Sequence, residues 1–289
     1  MKEGTPTPNS LVLAAQSEFR TRWIRLSRCA NVLIGLSHEV IVLLHRERAR
    51  FETVAVSNVT TRIVVATTKN LHSTTILCES GYGVQALAIS RSSLEWLITL
   101  SHIVEVPEQR EARSIRFWEF RWVELKRGQD RSLKEESISE RRSDDQEYFG
   151  LIRERKREVD SGYESYRKLY GTESDSWGQY PFGVSPDRLA ETLGLGQEYS
   201  ALYPIASGMV HAFPSALQAS LSRHEGGTAL TPGPQLDGVA QVLKNACLLQ
   251  LRILKLCNDL FPLDAFAQRV AKLLRRIRSV TTPTTWPVG

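Results

Sequence analysis

The strongest constraint on this chain is the length of its apolar segments at helical spacing. From Glu79 to Glu105, and again from Leu236 to Leu260, apolar side chains recur every three or four residues. Pro107 closes the first segment and Pro262 the second, since proline cannot continue a helix. A helix with one apolar stripe must bury it against another element. A chain assembled from such segments is therefore expected to be an all-α helical bundle.

The remaining segments follow the same logic. Asn9 or Ser10 can cap a first helix, whose apolar positions run through Leu11, Ala14, Ala15, Phe19, Trp23 and Leu26 to about Phe51. Gly35 and Ser37 mark its expected break. Val59 to Leu77 is rich in β-branched residues, which favours a strand locally, but it lacks alternation and a closing turn, so a helix is expected. Pro107-Glu108 opens a helix through Phe117, Phe120 and Val123. Charged residues from Lys126 to Arg157 extend it as a helical arm protruding from the core. Asp160 to Pro186, with four glycines and two prolines, reads as a long mobile loop. Ser185-Pro186-Asp187 starts a short helix that ends at Gly194 and Gly196. Glu198 to Ala212 is the next helix, His224 to Pro234 a second loop, and Asp264 to Val280 a basic amphipathic helix. The expected organisation is one helical domain over 1–280 with a disordered tail over 281–289.

Charge narrows the function classes. The formal balance is +5. Residues 108–170 are about half charged yet nearly neutral, the pattern of a solvated helix laced with ion pairs. The one local excess is Arg269, Lys272, Arg275, Arg276 and Arg278, with no acid among them. Nucleic-acid binding gains little from this distribution. The first ten residues lack the apolar core of a secretory signal, and the most apolar stretch, Cys29 to Leu44, contains His38 and Glu39 and is shorter than a spanning helix. Cys29, Cys78, Cys247 and Cys257 lie in apolar helical patterns without zinc spacing. A cytoplasmic protein without membrane contact, metal or cofactor is expected.

Two constellations could carry chemistry. Arg91, Glu95 and His102 share one face of the Glu79–Glu105 helix, together with Val84, Ala88 and Ile98. Charges on an apolar face need partners, because an isolated buried charge is costly. Tyr203, Ser207 and His211 follow each other at four-residue steps, which aligns a phenol, a hydroxyl and an imidazole on consecutive turns. No phosphate-binding loop, dinucleotide fingerprint or H-E-x-x-H zinc motif is present. Phe117, Trp118, Phe120 and Trp122, interleaved with Glu119 and Arg121, could stack bases, but fit core plus an amphipathic rim.

These motifs, in this order, look familiar. Arg91-x-x-Leu94-Glu95-Trp96, Trp177 ahead of Ser185-Pro186, Ala190-Glu191-x-Leu193-Gly194 and Tyr199-x3-Tyr203-x3-Ser207-x3-His211 together resemble an uncharacterised bacterial helical family, domain of unknown function 5677. The resemblance covers about Leu71 to Leu217. It implies an all-helical fold with an Arg/Glu helix and a Ser/His helix, and no established reaction. The end of the Ser/His helix is also similar to the HEPN superfamily (higher eukaryotes and prokaryotes nucleotide-binding). Its nuclease members act as metal-independent dimers in toxin and phage-defence systems. Their hallmark arginine before the histidine is absent, with Ala206, Ile205 and Pro204 in its place.

Three functions follow as expectations. The first is a ligand-binding or regulatory, defence-related module built on Arg91, Glu95, Tyr203, Ser207 and His211, with His102 as a further ligand contact. The second is a HEPN-like ribonuclease with Arg91, Glu95 and His211 as catalytic residues, His211 being the general acid/base and Arg91 stabilising phosphate charge. The third is a structural interaction module whose 126–157 arm contacts a partner. A second copy of the chain and a protein on the arm are the expected partners; RNA enters only with the nuclease reading.

Overall fold

The computed structural model describes residues 7–46, 54–138, 143–171, 181–211, 221–224, 227–230, 233–261 and 264–280. The fold is all-α apart from one short hairpin. Its helices are α1 (Pro8–Arg46), α2 (Val54–Glu79), α3 (Gly83–Glu105), α4 (Arg110–Glu119), α5 (Arg121–Ile138), α6 (Ser143–Glu154), α7 (Lys156–Tyr170), α8 (Pro186–Thr192), α9 (Gly196–Val210), α10 (Val239–Leu260) and α11 (Asp264–Arg278). A 3-10 turn at Pro107–Gln109 precedes α4. The chain divides into two compact units, Met1–Glu105 with Ala190–Gly289, and Val106–Leu189.

In the larger unit, α10 packs on α1, α2, α3 and α11, and α3 also packs on α2 and α9. The core is aliphatic, with Leu33, Leu36, Ile63, Leu94, Ile98, Leu243 and Ile253 essentially inaccessible. All four cysteines are free and buried within it. The β-branched stretch becomes helix α2 because its hydroxyls find acceptors inside the helix. Thr67 and Thr75 donate to carbonyls one turn back, on Ile63 at 3.0 Å and Leu71 at 2.8 Å. At the α2–α3 turn, Gly81 has φ +81°. A Cβ there would sit 2.6 Å from the Pro234 Cβ, so the turn needs glycine to lie against the segment entering α10. The Gln235 N–H donates to the Gly81 carbonyl at 2.8 Å.

Several elements differ from the sequence reading. α1 runs unbroken through Gly35 and Ser37; its irregularity is at Trp23 (φ −130°, ψ 24°). The Ser37 hydroxyl donates to the Leu33 carbonyl at 2.8 Å, which keeps this serine inside the helix. By length and composition α1 could cross a membrane, although its apolar stripe packs on α2, α10 and α11. Within His224–Pro234, the expected loop, β1 (Leu221–His224) pairs antiparallel with β2 (Gly227–Leu230). The tail over 281–289 lies outside the described residues.

The smaller unit holds the charged arm, which folds back on itself. Phe120, which caps α4, and Val123 of α5 pack on Tyr166 of α7, with Tyr163 and Tyr170 beside them. The loop expected from Asp160 is helix as far as Tyr170, after which residues 172–180 lie outside the described residues. Gly162 read as a loop signal because glycine disfavours helix. In the structure it is the contact point for the Trp122 ring, which lies where a Cβ would stand. Lys126 crosses from α5 to Asp160 of α7 at 2.9 Å, while Lys156 also donates to Asp160. Arg121 lies over both Trp118 and Trp122, 4.5 and 4.7 Å from the ring centroids. The aromatic run is thus core at Phe120 and rim at Trp118.

Two predictions follow from this packing. Gln250 of α10 is 1% exposed and donates to Ser37 of α1 at 3.0 Å and Thr68 of α2 at 3.3 Å. In urea unfolding, Gln250→Ala is expected to cost about 2–4 kcal/mol through the cavity and lost bonds. Gln250→Leu should stay within about 1 kcal/mol, because both hydroxyls keep carbonyl acceptors on Leu33 and Val64. The second prediction concerns Asp160, whose carboxyl is held below the usual range by hydrogen bonds from Lys156 and then Lys126. A depressed carboxylate pKa contributes stability above its unfolded value and loses it as pH falls through the folded value. The gap in melting temperature between wild type and Asp160→Asn should therefore be open at neutral pH and close towards about pH 3.

Candidate functional site

The α3–α9 contact brings together three of the six residues singled out from the sequence. Arg91 and Glu95 are one turn apart on α3, and Arg91 Nε donates to Glu95 Oε1 at 3.1 Å. Arg91 Nη2 donates to the Tyr203 phenol oxygen of α9 at 2.9 Å. The guanidinium carbon also lies 4.5 Å from the Tyr203 ring centroid. Tyr199, one turn earlier, stacks on Tyr203 at 4.3 Å and 16°. Arg91 and Glu95 keep only 17% and 26% of their side-chain surface. At that burial a charge-assisted bond contributes more than at the open surface.

The other three residues stand apart from this cluster. Ser207 is half-buried one turn beyond Tyr203, and its carbonyl accepts the His211 N–H at 2.9 Å. His211 is the exposed C-cap of α9, about 12 Å along the helix axis from Tyr203. His102 lies about 16 Å along α3 from Arg91, and its Nδ1 is 3.9 Å from Glu105. Helical spacing had assigned each trio to one helix face, by steps of four for Tyr203, Ser207 and His211 and by steps of four and seven for Arg91, Glu95 and His102. Residues on one face are nevertheless spread along the axis, and only the turn facing the other helix meets it.

The cluster has further anchors that sequence reasoning missed. Glu198 at the start of α9 pairs with Arg252 of α10 at 2.5 Å, so α9 is tied to α10 as well as to α3. On α3's side towards α2, Asn70 donates to Ser92 and Ser93 at 2.8 and 3.2 Å. No local pattern announces these pairs, since partners such as Asn70 and Ser92 sit on different helices. Tyr199 alone carried a signal, through its four-residue step to Tyr203. Chemically the cluster is a clamp: the Arg91 cation is satisfied by a carboxylate, a phenol and a ring face. Among the described residues, no group of three or more His, Cys, Asp and Glu is placed to hold a metal ion.

Grooves lie elsewhere among the described residues. In the larger unit α9, α10 and α11 enclose about 550 Å³, lined by Leu202, Leu249, Val270 and Leu274 with Arg252, Lys255 and Arg278. In the smaller unit α5, α6 and α7 enclose about 710 Å³, lined mainly by Leu125, Leu151, Ile152 and Val159, with Arg121 and Arg155 also lining it.

The chain belongs to the Family of unknown function (DUF5677), which matches residues 57–228. That span includes both halves of the Arg91–Tyr203 clamp. No curated protein and no solved structure matches the chain.

The clamp is expected to couple its two residues energetically. Tyr203→Phe keeps the ring but removes the acceptor, and should cost about 1–2 kcal/mol. In a double-mutant cycle with Arg91→Ala, a coupling of about 1–2 kcal/mol measures the clamp directly; additive effects would mean the two helices pack without it.

Proposed function

We propose that this protein is a regulatory helical module that docks a partner protein on its 106–189 unit. The observation that carries the reading is the apolar groove between α5, α6 and α7. Leu125 and Leu151 line it yet are 40% and 57% exposed, and Ile115 and Trp118 of α4 are exposed in the same unit. Apolar surface of this kind beside charged residues of both signs suits an amphipathic helix, whose apolar anchors at three- and four-residue steps enter the groove. The ion pairs around Lys126 and Asp160 hold the groove's two long helices together. They leave the apolar lining as the part of the arm with something to gain from a partner.

This reading places the module in a cytoplasm. Its four unpaired cysteines suit a reducing compartment. Burial pushes the Cys257 thiol up to about 12 and holds Cys78 and Cys247 higher still, so these thiols are inert. The bacterial, defence-related setting rests on the resemblance read from the motifs. A second reading, a binding site for a small phosphate-bearing ligand, is favoured by the α9–α11 groove, where Arg278 borders a leucine-rich lining beside Arg252 and Lys255, the last two already paired with Glu198 and Asp259. The ribonuclease reading has less support, since Arg91 is engaged by Glu95 and Tyr203 while His211 ends α9 two turns further on.

A photo-crosslinking residue at Leu151 in the full chain tests the docking. The expected result in cells is one discrete adduct, with a partner or with a second copy of the chain, reduced at least tenfold by Leu125→Asp. Absence of a discrete adduct, or an adduct indifferent to Leu125→Asp, would remove the reading. The circular dichroism spectrum should be unchanged by Leu125→Asp, because the side chain is already exposed.

A further inference from the structure

The basic residues of the last helix do not stand alone. α11 packs on α1, and between them lies a groove of about 670 Å³. Arg22, Arg25 and Arg28 line it from α1 and Arg276 from α11, with Trp23 and Leu273 among its apolar lining. No acidic residue lines it. Glu18 pairs with Arg22 at 2.5 Å. Among the described residues, Arg25, Arg28 and Arg276 have no ion-pair partner, and all three are exposed.

Such an arrangement is unfavourable for the free protein. Arg25 and Arg28 are three residues apart on α1, neighbours whose like charges repel, and Arg22 lies one three-residue step before them across the bend at Trp23. Arg276 adds a fourth positive charge across the groove. Several cations elsewhere are neutralised: Lys126, Lys156, Arg252 and Arg269 each meet a carboxylate. The groove also coincides with the irregular turn of α1, where Trp23 leaves helical geometry without a proline or glycine at the bend.

We infer that this groove binds the sugar–phosphate backbone of a single-stranded nucleic acid. The guanidinium fork matches phosphate oxygens bidentately. Arg22 to Arg28 span about 9 Å of helix, which spreads the charge along a track rather than focusing it on one phosphate. A basic track beside an aromatic side chain is the usual arrangement for sequence-tolerant binding of a single strand. No base-reading polar group is required, so binding should be indifferent to sequence.

The test is fluorescence anisotropy of the full chain with a short labelled oligouridine, over a range of salt concentrations. Four arginine–phosphate contacts predict that log K falls against log salt with a slope of about −3, at roughly −0.7 per contact on a single strand. The Arg25→Gln, Arg28→Gln double variant should halve that slope and weaken binding at least tenfold near 0.1 M salt. Replacement of both by lysine should retain binding within a few-fold, and Lys69→Gln, a charge loss elsewhere, should leave the slope unchanged. All three variants alter exposed side chains, and an unchanged circular dichroism spectrum and melting temperature confirms the fold. Absence of binding at low salt, or a slope unaffected by the double variant, overturns the inference. It is equally overturned if ATP, or vesicles containing phosphatidylglycerol, bind with the same arginine dependence and comparable or greater affinity, which would make the site one for a nucleotide or for a membrane.

Discussion

One buried amide fixes the bundle. Gln250 lies midway along α10 in an otherwise aliphatic interior, and its NH2 group reaches Ser37 on α1 and Thr68 on α2. Leucine, valine and isoleucine contacts tolerate a slide of one helix along another, because the attraction is non-directional. A hydrogen bond of about 3 Å does not, so this amide sets the registers of three helices at once. It exacts a penalty: Gln250 Oε1 is buried without a partner among the described residues. Everything that positions the Arg91 clamp depends on that register, since α10 carries α3 on one side and holds Arg252 opposite Glu198.

The sequence exposed the local half of this architecture. Helices α2, α3, α10 and α11 were legible because a stripe of apolar residues has only one periodic solution, and Pro107 and Pro262 punctuate them. Arg91 and Glu95 were legible as a pair because four residues bring side chains together on a helix. What was not legible is contact between distant segments: Arg91 and Tyr203 are 112 positions apart, and Gln250 and Ser37 are 213 apart. Composition also misled where one residue type has two uses. Gly162 signals a loop by propensity, yet here it makes room for the Trp122 ring in the middle of a helix. Gly35 and Ser37 resemble a break in α1, but the serine bonds back to its own helix, and the bend occurs at Trp23 where no breaker stands.

The two units spend their polar groups differently. In the larger unit, the buried polar side chains are mostly hydroxyls, several of them closed onto their own helix, plus a few directed bonds between helices. In the smaller one, surface charges pair across a helical hairpin, around a small core cluster of Phe120, Val123 and Tyr166 with Val159 buried nearby along α7. A core that small buries little apolar area, so the hairpin's stability rests more heavily on Lys126, Lys156 and Asp160 and is correspondingly sensitive to pH and salt. The same economy leaves Leu125 and Leu151 at the surface, where a second apolar face can cover them.

The net charge of +5 takes on a different meaning once these pairings are placed. The densest charge in the chain, over 108–170, is nearly neutral, and much of it is locally paired on the arm. It therefore projects little field beyond a Debye length. Part of the positive charge is sparse in sequence and gathered in space: three arginines from the first helix, one of them paired with Glu18, and one from the last, separated by some 250 positions and brought to one groove by the packing of α11 on α1. Counting charge along the chain assigned the surplus to α11 alone and missed α1, whose arginines are diluted among apolar neighbours. Field strength follows distance in space, not position in sequence, so a polyanion at the groove between the first and last helices meets charge that a count along the chain disperses.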